Sequence, residues 1–416
     1  MSAPACRPGC LLRALVSLLA VLALLAVLAG PLVGAAAAQE GAPDIDAEAA
    51  YLVEASTGAT IFAKNEDRRR AIASTTKLMT ALVAREAISL DESLMAAGYD
   101  PAPVESQIGL QEGERLTVRD LLRALLLPSA NDAAATLAEG VAGSTEGFVG
   151  RMNARADELG LENTSFANAI GLDDPDNFST ARDLTRLALA ARKDTFLRRT
   201  FALEDATLDS GARTREVDNR NTLVSSTEIV NGIKTGRTQQ AGYVLVGSAT
   251  REGVTVVASV LGADSEAARD EDTLELLEYG LDRYERVTAV RRGQVRAQVP
   301  LAYRAGSSIA GAAEATARRT LPEGERLTQE VSGLPEEVDG PIERGDRLGT
   351  LVVRHRDRVV ARVPLVATRA VQEAGVALRM RDLLSRPSTL ALLAALAACS
   401  VPLVLLRRRA MARQRA

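Results

Sequence analysis

The chain has 416 residues, of which 47% are hydrophobic and 25% charged, and its formal net charge is −4. This is the composition of an ordinary globular protein with room for two or three domains. The negative balance, the aromatic content of 3% and the lack of tryptophan argue against a nucleic-acid partner. Because His355 is the single histidine, zinc sites built on two histidines are excluded, and we predict no metal and no cofactor.

Residues 1–38 have the features of a secretory signal peptide. A basic start is followed by the apolar stretch Ala14–Gly30 and by small residues suited to cleavage. An uncleaved anchor helix is the alternative, because the apolar stretch is long. Cys6 and Cys10 fall in this segment and Cys399 near the other end, so the exported part would contain no cysteine, as in an extracytoplasmic protein without disulfides.

Residues 45–283 form the first predicted domain, of mixed α and β structure. Apolar and β-branched runs predict strands, and apolar residues at helical spacing predict amphipathic helices. The predicted strands lie within Tyr51–Phe62, Tyr243–Ala249 and Val254–Leu261, and the predicted helices are Lys77–Ala87, Val118–Leu127 and Ser179–Arg192.

The rest of the chain changes character. Residues 284–372 hold short alternating runs and Gly-rich turns, which predict a small antiparallel β domain, and residues 373–387 form a linker. Residues 388–406 are apolar enough to cross a bilayer, and residues 407–416 are basic with no acid. Since positive residues stay on the cytoplasmic side, we expect a single-pass anchor with the body outside the cell membrane.

Lysine is scarce in this chain, and its distribution points to chemistry. Only four of the 50 Lys plus Arg residues are lysines, and two of these are Lys77 and Lys234. A lysine can lose its proton when it is desolvated, whereas an arginine stays charged. Lys77 follows Ser74 by three residues, and a helix would bring the two side chains together on one face, as a base beside a nucleophile. A lone Ser-x-x-Lys is a weak signal, since such spacings arise by chance.

Two further motifs follow in order. Ser129 and Asn131 come directly after a predicted helix, where a hydroxyl can relay a proton and an amide can hold a carbonyl. An N-cap serine with a neighbouring Asn is the plain alternative. Lys234, Thr235 and Gly236 precede a predicted strand, where they can line a groove and bind a carboxylate, and a solvated lysine on an edge strand is the alternative.

Taken together, the three motifs resemble those of the penicillin-binding proteins and class A β-lactamases. The chain is most similar in pattern to low-molecular-mass penicillin-binding proteins of the serine-type D-alanyl-D-alanine carboxypeptidase family. The resemblance implies a mixed α/β transpeptidase-like fold, a small all-β C-terminal domain and a C-terminal transmembrane helix. The stretches that carry it are Ala73–Thr80, Thr117–Leu122, Leu127–Asp132, Ser179–Leu184, Asn231–Gly236 and Ala241–Tyr243.

The resemblance also implies roles for individual residues. Ser74 would attack the bond between two D-alanines, with Lys77 as general base. Ser129, helped by Lys234, would pass the proton to the leaving D-alanine. Backbone N–H groups of Ser74 and Arg237 would form the oxyanion hole.

Substrate binding is implied for the remaining motif residues. Asn131 would orient the acyl peptide, Thr235 and Arg220 would bind the terminal carboxylate, and Gly236 would let the substrate approach the strand. The implied partners are peptidoglycan stem peptides and, as covalent inhibitors, β-lactam antibiotics.

The chain departs from the family pattern at three places. Ala73 stands where the family usually has proline, Asn168–Leu172 lacks the usual second-position proline, and Asn177-Phe178 replaces a common His-Tyr pair. These departures bear on substrate fit and deacylation speed more than on the class of reaction.

Other functions remain open at this stage. A class A β-lactamase would need a Glu to activate water, and Glu158 and Glu162 are the available acids. A D,D-endopeptidase acting on peptide cross-links shares the whole machinery. An inactive wall-binding protein is the alternative from a different class.

Overall fold

The computed structural model describes residues 41–102 and 104–413. The predicted signal peptide, with Cys6 and Cys10, lies outside the described residues. The elements discussed below all belong to one compact unit, Ile45–Ala416.

Strands and short helices alternate through the first part of the chain. The strands are β1 Ala49–Glu54, β2 Thr60–Lys64, β3 Arg70–Ala71, β4 Ser93–Met95, β5 Arg115–Thr117, β6 Phe178–Ser179, β7 Asp205–Leu208, β8 Arg215–Asp218, β9 Val230–Thr238, β10 Gly242–Arg251 and β11 Val254–Ala263. The helices are α1 Lys77–Ala87, α2 Val118–Leu126, α3 Asn131–Ala142, α4 Thr145–Glu158, α5 Ala181–Ala191, α6 Thr195–Phe201, α7 Leu223–Ser226 and α8 Glu266–Asp282.

An antiparallel five-stranded sheet in the order β2-β1-β11-β10-β9 is the core of this region. Its strands are apolar on both faces because helices cover both sides. In β1, Tyr51 and Val53 pack into the cluster formed with α1 to α6, whereas Ala50 and Leu52 pack toward α8 on the other face. This alternation is the period of two expected of a strand.

The sequence predictions for this region are confirmed element by element. The predicted helix Lys77–Ala87 matches α1, and the two later helices match α2 and α5 to within two residues at each end. Helix α5 begins after Thr180, whose hydroxyl accepts the hydrogen bond of Asp183 N at 3.1 Å. Such a cap satisfies a backbone donor that the first turn leaves free.

A second, all-β region follows and confirms the prediction of a small antiparallel domain. A five-stranded sheet runs in the order β13-β14-β18-β17-β16, and β12 pairs with β15 as a ribbon beside it. Leu351, Val353, Val363 and Leu365 form the centre of its core. The strands are β12 Tyr284–Val290, β13 Val295–Pro300, β14 Ser308–Ala313, β15 Ala317–Pro322, β16 Leu327–Ser332, β17 Arg347–His355 and β18 Arg358–Ala367.

Two helices end the described chain, α9 Val376–Ser385 and α10 Pro387–Arg413. The predicted linker is therefore largely helical. Within α10, the 22-residue segment Pro387–Arg408 contains an 18-residue window with a mean hydropathy of 2.4, and it is long and apolar enough to cross a membrane. The apolar side chains of this segment, and Cys399 among them, are exposed. This helix is a candidate membrane span.

Candidate active site

Ser74 lies in a tight turn, Ala73–Thr76, immediately before α1. The turn is held by Thr75, whose hydroxyl donates to the carbonyl of Ile72 at 2.6 Å. Ala73 is buried and adopts a left-handed φ of 47°. Ser74 and Lys77 are therefore one turn apart, and Lys77 Nζ lies 3.1 Å from Ser74 Oγ.

Lys77 is fully buried, which is rare for a lysine. Its Nζ also lies 2.6 Å from Asn131 Oδ1 and 2.6 Å from the carbonyl oxygen of Ile170. Burial, with a smaller contribution from the charge of Arg220, lowers the pKa of Lys77 to about 7, although Glu105 and Asp132 act in the opposite direction. A group that titrates near neutrality can both take and return a proton during a reaction.

The second motif reaches the same place from the loop between α2 and α3. Ser129 has a left-handed φ of 67°, and its buried Oγ has no hydrogen-bond partner among the described residues. Ala130, not Ser129, is the N-cap of α3, so the N-cap alternative for Ser129 is wrong. A buried hydroxyl without a partner is uncommon in structural positions and is available for a proton relay.

The third motif lies on β9, the edge strand of the sheet. Lys234 is 1% exposed, so the alternative of a solvated lysine is wrong, although the edge-strand position is correct. Its Nζ donates to the carbonyl of Thr235 at 3.0 Å. Burial holds the pKa of Lys234 well below its usual value, and the charges of Lys77, Arg220 and Arg269 add to this effect.

Gly236 brings β9 into direct contact with the turn that carries Ser74. A Cβ at this position would lie 2.9 Å from Ser74 N and 3.0 Å from Ala73 Cβ. Such distances are shorter than normal contacts, so any side chain would push the strand away from the nucleophile. The backbone of β9 at Arg237 therefore stays beside the Ser74 turn.

A loop around Gly171 completes the surroundings of Lys77. The side-chain oxygen of Asn168 accepts from the N–H groups of Ile170, Gly171 and Leu172 at 3.2, 2.6 and 3.2 Å. Gly171 has a φ of 93°, and a Cβ there would lie 2.1 Å from Ala73 O. This compact turn directs the carbonyl of Ile170 at Lys77, a contact that sequence reasoning did not predict.

Glu105 is the second contact that sequence reasoning missed. It comes from the loop between β4 and β5, and its carboxylate accepts from Asn131 Nδ2 at 2.6 Å and from the hydroxyl of Tyr99. Burial raises the pKa of Glu105, but the hydrogen bonds from Tyr99 and Asn131 outweigh it and lower the pKa overall. A single acid in an irregular loop has no periodic signal, so no pattern could have identified it.

A cavity of about 460 Å³ is lined by Ser74, Glu105, Asn131, Ile170, Gly171 and Arg237, among others. The other predicted site residues of the three motifs are buried and do not belong to this lining: Lys77, Ser129, Lys234, Thr235 and Gly236. Arg237 is exposed and stacks over the Tyr243 ring, 5.2 Å from its centroid. Arg220 is not in this lining. It is exposed in the adjoining groove of about 560 Å³, from which it acts on both lysines by charge.

The two acids considered for a β-lactamase lie away from this cavity. Glu158 is exposed on α4 and forms an ion pair with Arg155 at 2.7 Å, and Glu162 is also exposed. Neither belongs to the lining of the cavity. Among the residues that the structure describes, no group of three or more His, Cys, Asp or Glu side chains is placed to hold a metal ion.

Comparison with known proteins agrees with this arrangement. Residues 36–265 match the family model described as D-alanyl-D-alanine carboxypeptidase, and residues 284–373 match the C-terminal domain of penicillin-binding protein 5. The chain is 31% identical to the D-alanyl-D-alanine carboxypeptidase DacF of Bacillus subtilis over 79% of this chain and 87% of the relative. It is also 31% identical to DacC of Escherichia coli, over 88% of this chain and 94% of the relative.

Solved structures show the same fold. The match to the Streptomyces K15 DD-transpeptidase covers 57% of this chain and 98% of the transpeptidase chain, with 38% identity and a TM-score of 0.55. The match to penicillin-binding protein 5 from Haemophilus influenzae covers 80% of this chain and 99% of that protein's chain, with 28% identity and a TM-score of 0.58. Fold and matches define a serine-type peptidase with a penicillin-binding-protein architecture. The chain belongs to the D-alanyl-D-alanine carboxypeptidase family.

Proposed function

We propose that this protein removes the terminal D-alanine from peptidoglycan stem pentapeptides through an acyl-enzyme on Ser74. The observation that carries the proposal is the buried Lys77 amine, 3.1 Å from Ser74 Oγ and with a pKa lowered to about 7. A serine hydroxyl needs such a base to attack a peptide carbonyl at neutral pH. Membership in the carboxypeptidase family supports the choice of substrate.

We assign the steps of the reaction to these groups as follows. Lys77 takes the hydroxyl proton as Ser74 Oγ bonds to the carbonyl carbon, and N–H groups of Ser74 and Arg237 stabilise the oxyanion. The C–N bond then breaks as Ser129, helped by the charge of Lys234, gives its hydroxyl proton to the leaving D-alanine nitrogen and receives in exchange the proton that Lys77 had taken from Ser74. In the second half, Lys77 takes a proton from a water molecule as its oxygen bonds to the ester carbonyl carbon. The bond between that carbon and Ser74 Oγ breaks, Lys77 returns the proton to Ser74 Oγ, and the shortened peptide leaves as a carboxylic acid.

Substrate binding is assigned to the remaining residues of the groove. Asn131 donates to the acyl part of the peptide, and Thr235 and Arg220 bind the terminal carboxylate, while Gly236 leaves the strand open to close approach. A β-lactam carbonyl would acylate Ser74 by the same attack. The position of Glu158 and Glu162 outside the cavity disfavours the fast deacylation of a β-lactamase.

We further propose that α10 anchors the protein in the cell membrane. Its apolar part, Pro387–Arg408, is followed by basic residues, and the positive side of a span stays in the cytoplasm. The catalytic region would then face the cell wall, as its substrate requires, after a signal peptide within residues 1–38 has directed export.

Release of D-alanine from a synthetic pentapeptide tests the function directly. The wild type should release D-alanine and take up a fluorescent penicillin as a stable covalent label, and Ser74→Ala should lose both. Ser226→Ala, an exposed serine on α7, is the matched control and should keep both. Failure of the wild type to release D-alanine or to be labelled would contradict the proposal, and rapid turnover of the drug would favour the β-lactamase instead.

A further inference from the structure

A second and larger cleft, of about 1120 Å³, opens where the catalytic sheet region meets the β12–β15 ribbon. It shares no lining residue with the cavity at Ser74. We call it the basic cleft because six cationic side chains line it. They are Arg192, Lys193, Arg198, Arg286, Arg318 and Arg319.

The basic cleft is not compensated by acids. Glu54 is the one acid in its lining, it is 0% exposed, and its carboxylate accepts from the N–H and hydroxyl groups of Ser56 and Thr57 at 2.7 to 3.1 Å. None of the six cations forms an ion pair with a carboxylate of the described residues. By contrast, Arg182, near the sheet, pairs with both Glu66 and Asp67. Since the whole chain carries 54 acidic and 50 basic residues, composition does not explain the excess.

Helix stabilisation explains only part of the cluster. Arg192 is the C-cap of α5 and Lys193 follows it, positions where a cation interacts favourably with the helix dipole. Arg286 and Arg318 belong to the ribbon of the β region and have no such role. Cations from two regions of the fold therefore converge on one concave surface, where their mutual repulsion has no structural benefit.

Three of the cations, Arg198, Arg286 and Arg319, are oriented by backbone carbonyls, which leave their charge in place. Arg198 Nη1 donates to the carbonyl of Arg192 at 3.2 Å, and Arg319 Nε donates to the carbonyl of Val360 at 2.7 Å. Arg192 itself is half-buried and donates to Ser248 Oγ at 2.7 Å. Burial, reinforced by Arg198, lowers its pKa to about 10, so the cleft holds a desolvated cation that an anion would stabilise.

We propose that the basic cleft binds an extended polyanion, a polymer strand that carries phosphate or carboxylate groups along its length. Six cations spread over four elements exceed what one small anion can contact, and guanidinium groups match oxyanions in pairs. The recessed position of Arg192 and the concave lining favour a strand over a flat lipid surface.

The test measures binding of labelled linear polyphosphate to the full-length protein in detergent micelles, by fluorescence anisotropy at several salt concentrations. The double variant Arg286→Glu/Arg318→Glu should bind at least about ten-fold more weakly, with a salt slope reduced by about 2. The control Arg291→Glu/Arg292→Glu makes the same charge change at exposed positions of the same region, outside the cleft. It should stay within about two-fold of the wild type, because charges away from the site are screened.

Each outcome bears on the proposal. Polyglutamate that binds and responds to the cleft variant in the same way supports a site for oxyanions in general, and polyphosphate binding alone supports a phosphate site. Equal losses in both double variants, binding only to anionic lipid vesicles, or no polymer binding at physiological salt would each overturn it. D-alanine release from a soluble pentapeptide should be the same in both variants, since the cleft is separate from Ser74, and its loss in the cleft variant alone would also overturn the assignment.

Discussion

Two clusters of cations lie in contrasting surroundings in this protein. Lys77, next to Ser74, and Lys234, on β9, are both buried, and desolvation is the largest cause of their lowered pKa values. Arg286 and Arg318 are exposed in the basic cleft and keep their charge. The same sign of charge therefore serves proton transfer where water is excluded and, by our proposal, attraction of an anion where water has access.

Arg215 differs from both clusters of cations, because it is buried and forms an ion pair with a buried acid, Glu114. Arg215 and Glu114 are 7% and 4% exposed in their side chains, and two parallel hydrogen bonds of 2.9 Å join them. Here neither proton transfer nor ligand binding is available. Arg215 also donates to the carbonyl of Ile108 at 3.0 Å, so the pair holds the loop that carries Glu105.

The largest effect is expected for Lys77→Arg. A guanidinium cannot serve as a base, so acylation should fall by about 10²- to 10⁴-fold. The rate of labelling by a fluorescent penicillin measures this directly. Lys193→Arg, which keeps the charge of an exposed lysine, should label at the wild-type rate. If Lys77→Arg retained rapid labelling with an unchanged melting temperature, Lys77 would not be the base.

The next effect concerns stability. Arg215→Ala leaves Glu114 buried without its partner and should reduce the free energy of unfolding by about 3–5 kcal/mol. Denaturant unfolding measures it, with Arg251→Ala as control, because the exposed Arg251–Asp282 pair should contribute no more than about 1 kcal/mol. Equal effects of the two substitutions would show that burial of the pair is irrelevant.

The same pair predicts a pH dependence. Hydrogen bonding to Arg215 lowers the pKa of Glu114 from 4.5 to about 2. A carboxyl group whose pKa is depressed on folding stabilises the protein above its unfolded pKa, and this stability is lost as the pH falls through the folded value. The difference in stability between wild type and Arg215→Ala should therefore shrink between about pH 4.5 and pH 2.

The sequence was sufficient where a local pattern decides the structure. Apolar residues at helical spacing predicted α1, and the three-residue spacing of Ser74 and Lys77 predicted their contact. Apolar, β-branched runs predicted strands at Tyr243–Ala249 and Val254–Leu261, and the structure pairs these strands, β10 and β11, as neighbours. The order of the three motifs predicted that Ser74 and Lys234, which are 160 positions apart, would share a site. The order of motifs does not predict the distances between their side chains.

What escaped prediction depends on contacts between distant, irregular segments. The carbonyl of Ile170 is a backbone group, and its direction depends on the turn around Asn168 rather than on any side chain at Ile170. Ser129 takes a left-handed backbone that no propensity for serine predicts. Burial of Lys234 depends on how helices close over the edge of β9, which a single strand pattern does not encode.

The smallest expected effect is a shift in the pH profile on substitution of Glu105. It tests whether the pKa of the buried Lys77 responds to a neighbouring charge. The carboxylate of Glu105 accepts from Asn131 Nδ2, which directs Asn131 Oδ1 to Lys77, and its charge raises the pKa of Lys77 against the effect of burial. Asp132 acts in the same sense as Glu105, whereas Arg220 is the cation that opposes both. Glu105→Gln keeps an oxygen that can accept from Asn131 but removes the charge.

Because Lys77 must be neutral to act as base, the acid limb of the pH profile of acylation follows the pKa of Lys77. Loss of the Glu105 charge should lower that pKa, so the acid limb of Glu105→Gln should move to lower pH while the plateau rate changes little. Glu105→Ala also frees the Asn131 amide and should reduce the plateau as well. A purely structural Glu105 would reduce the rate in both variants without moving the acid limb, and a shift toward higher pH would reverse the electrostatic assignment.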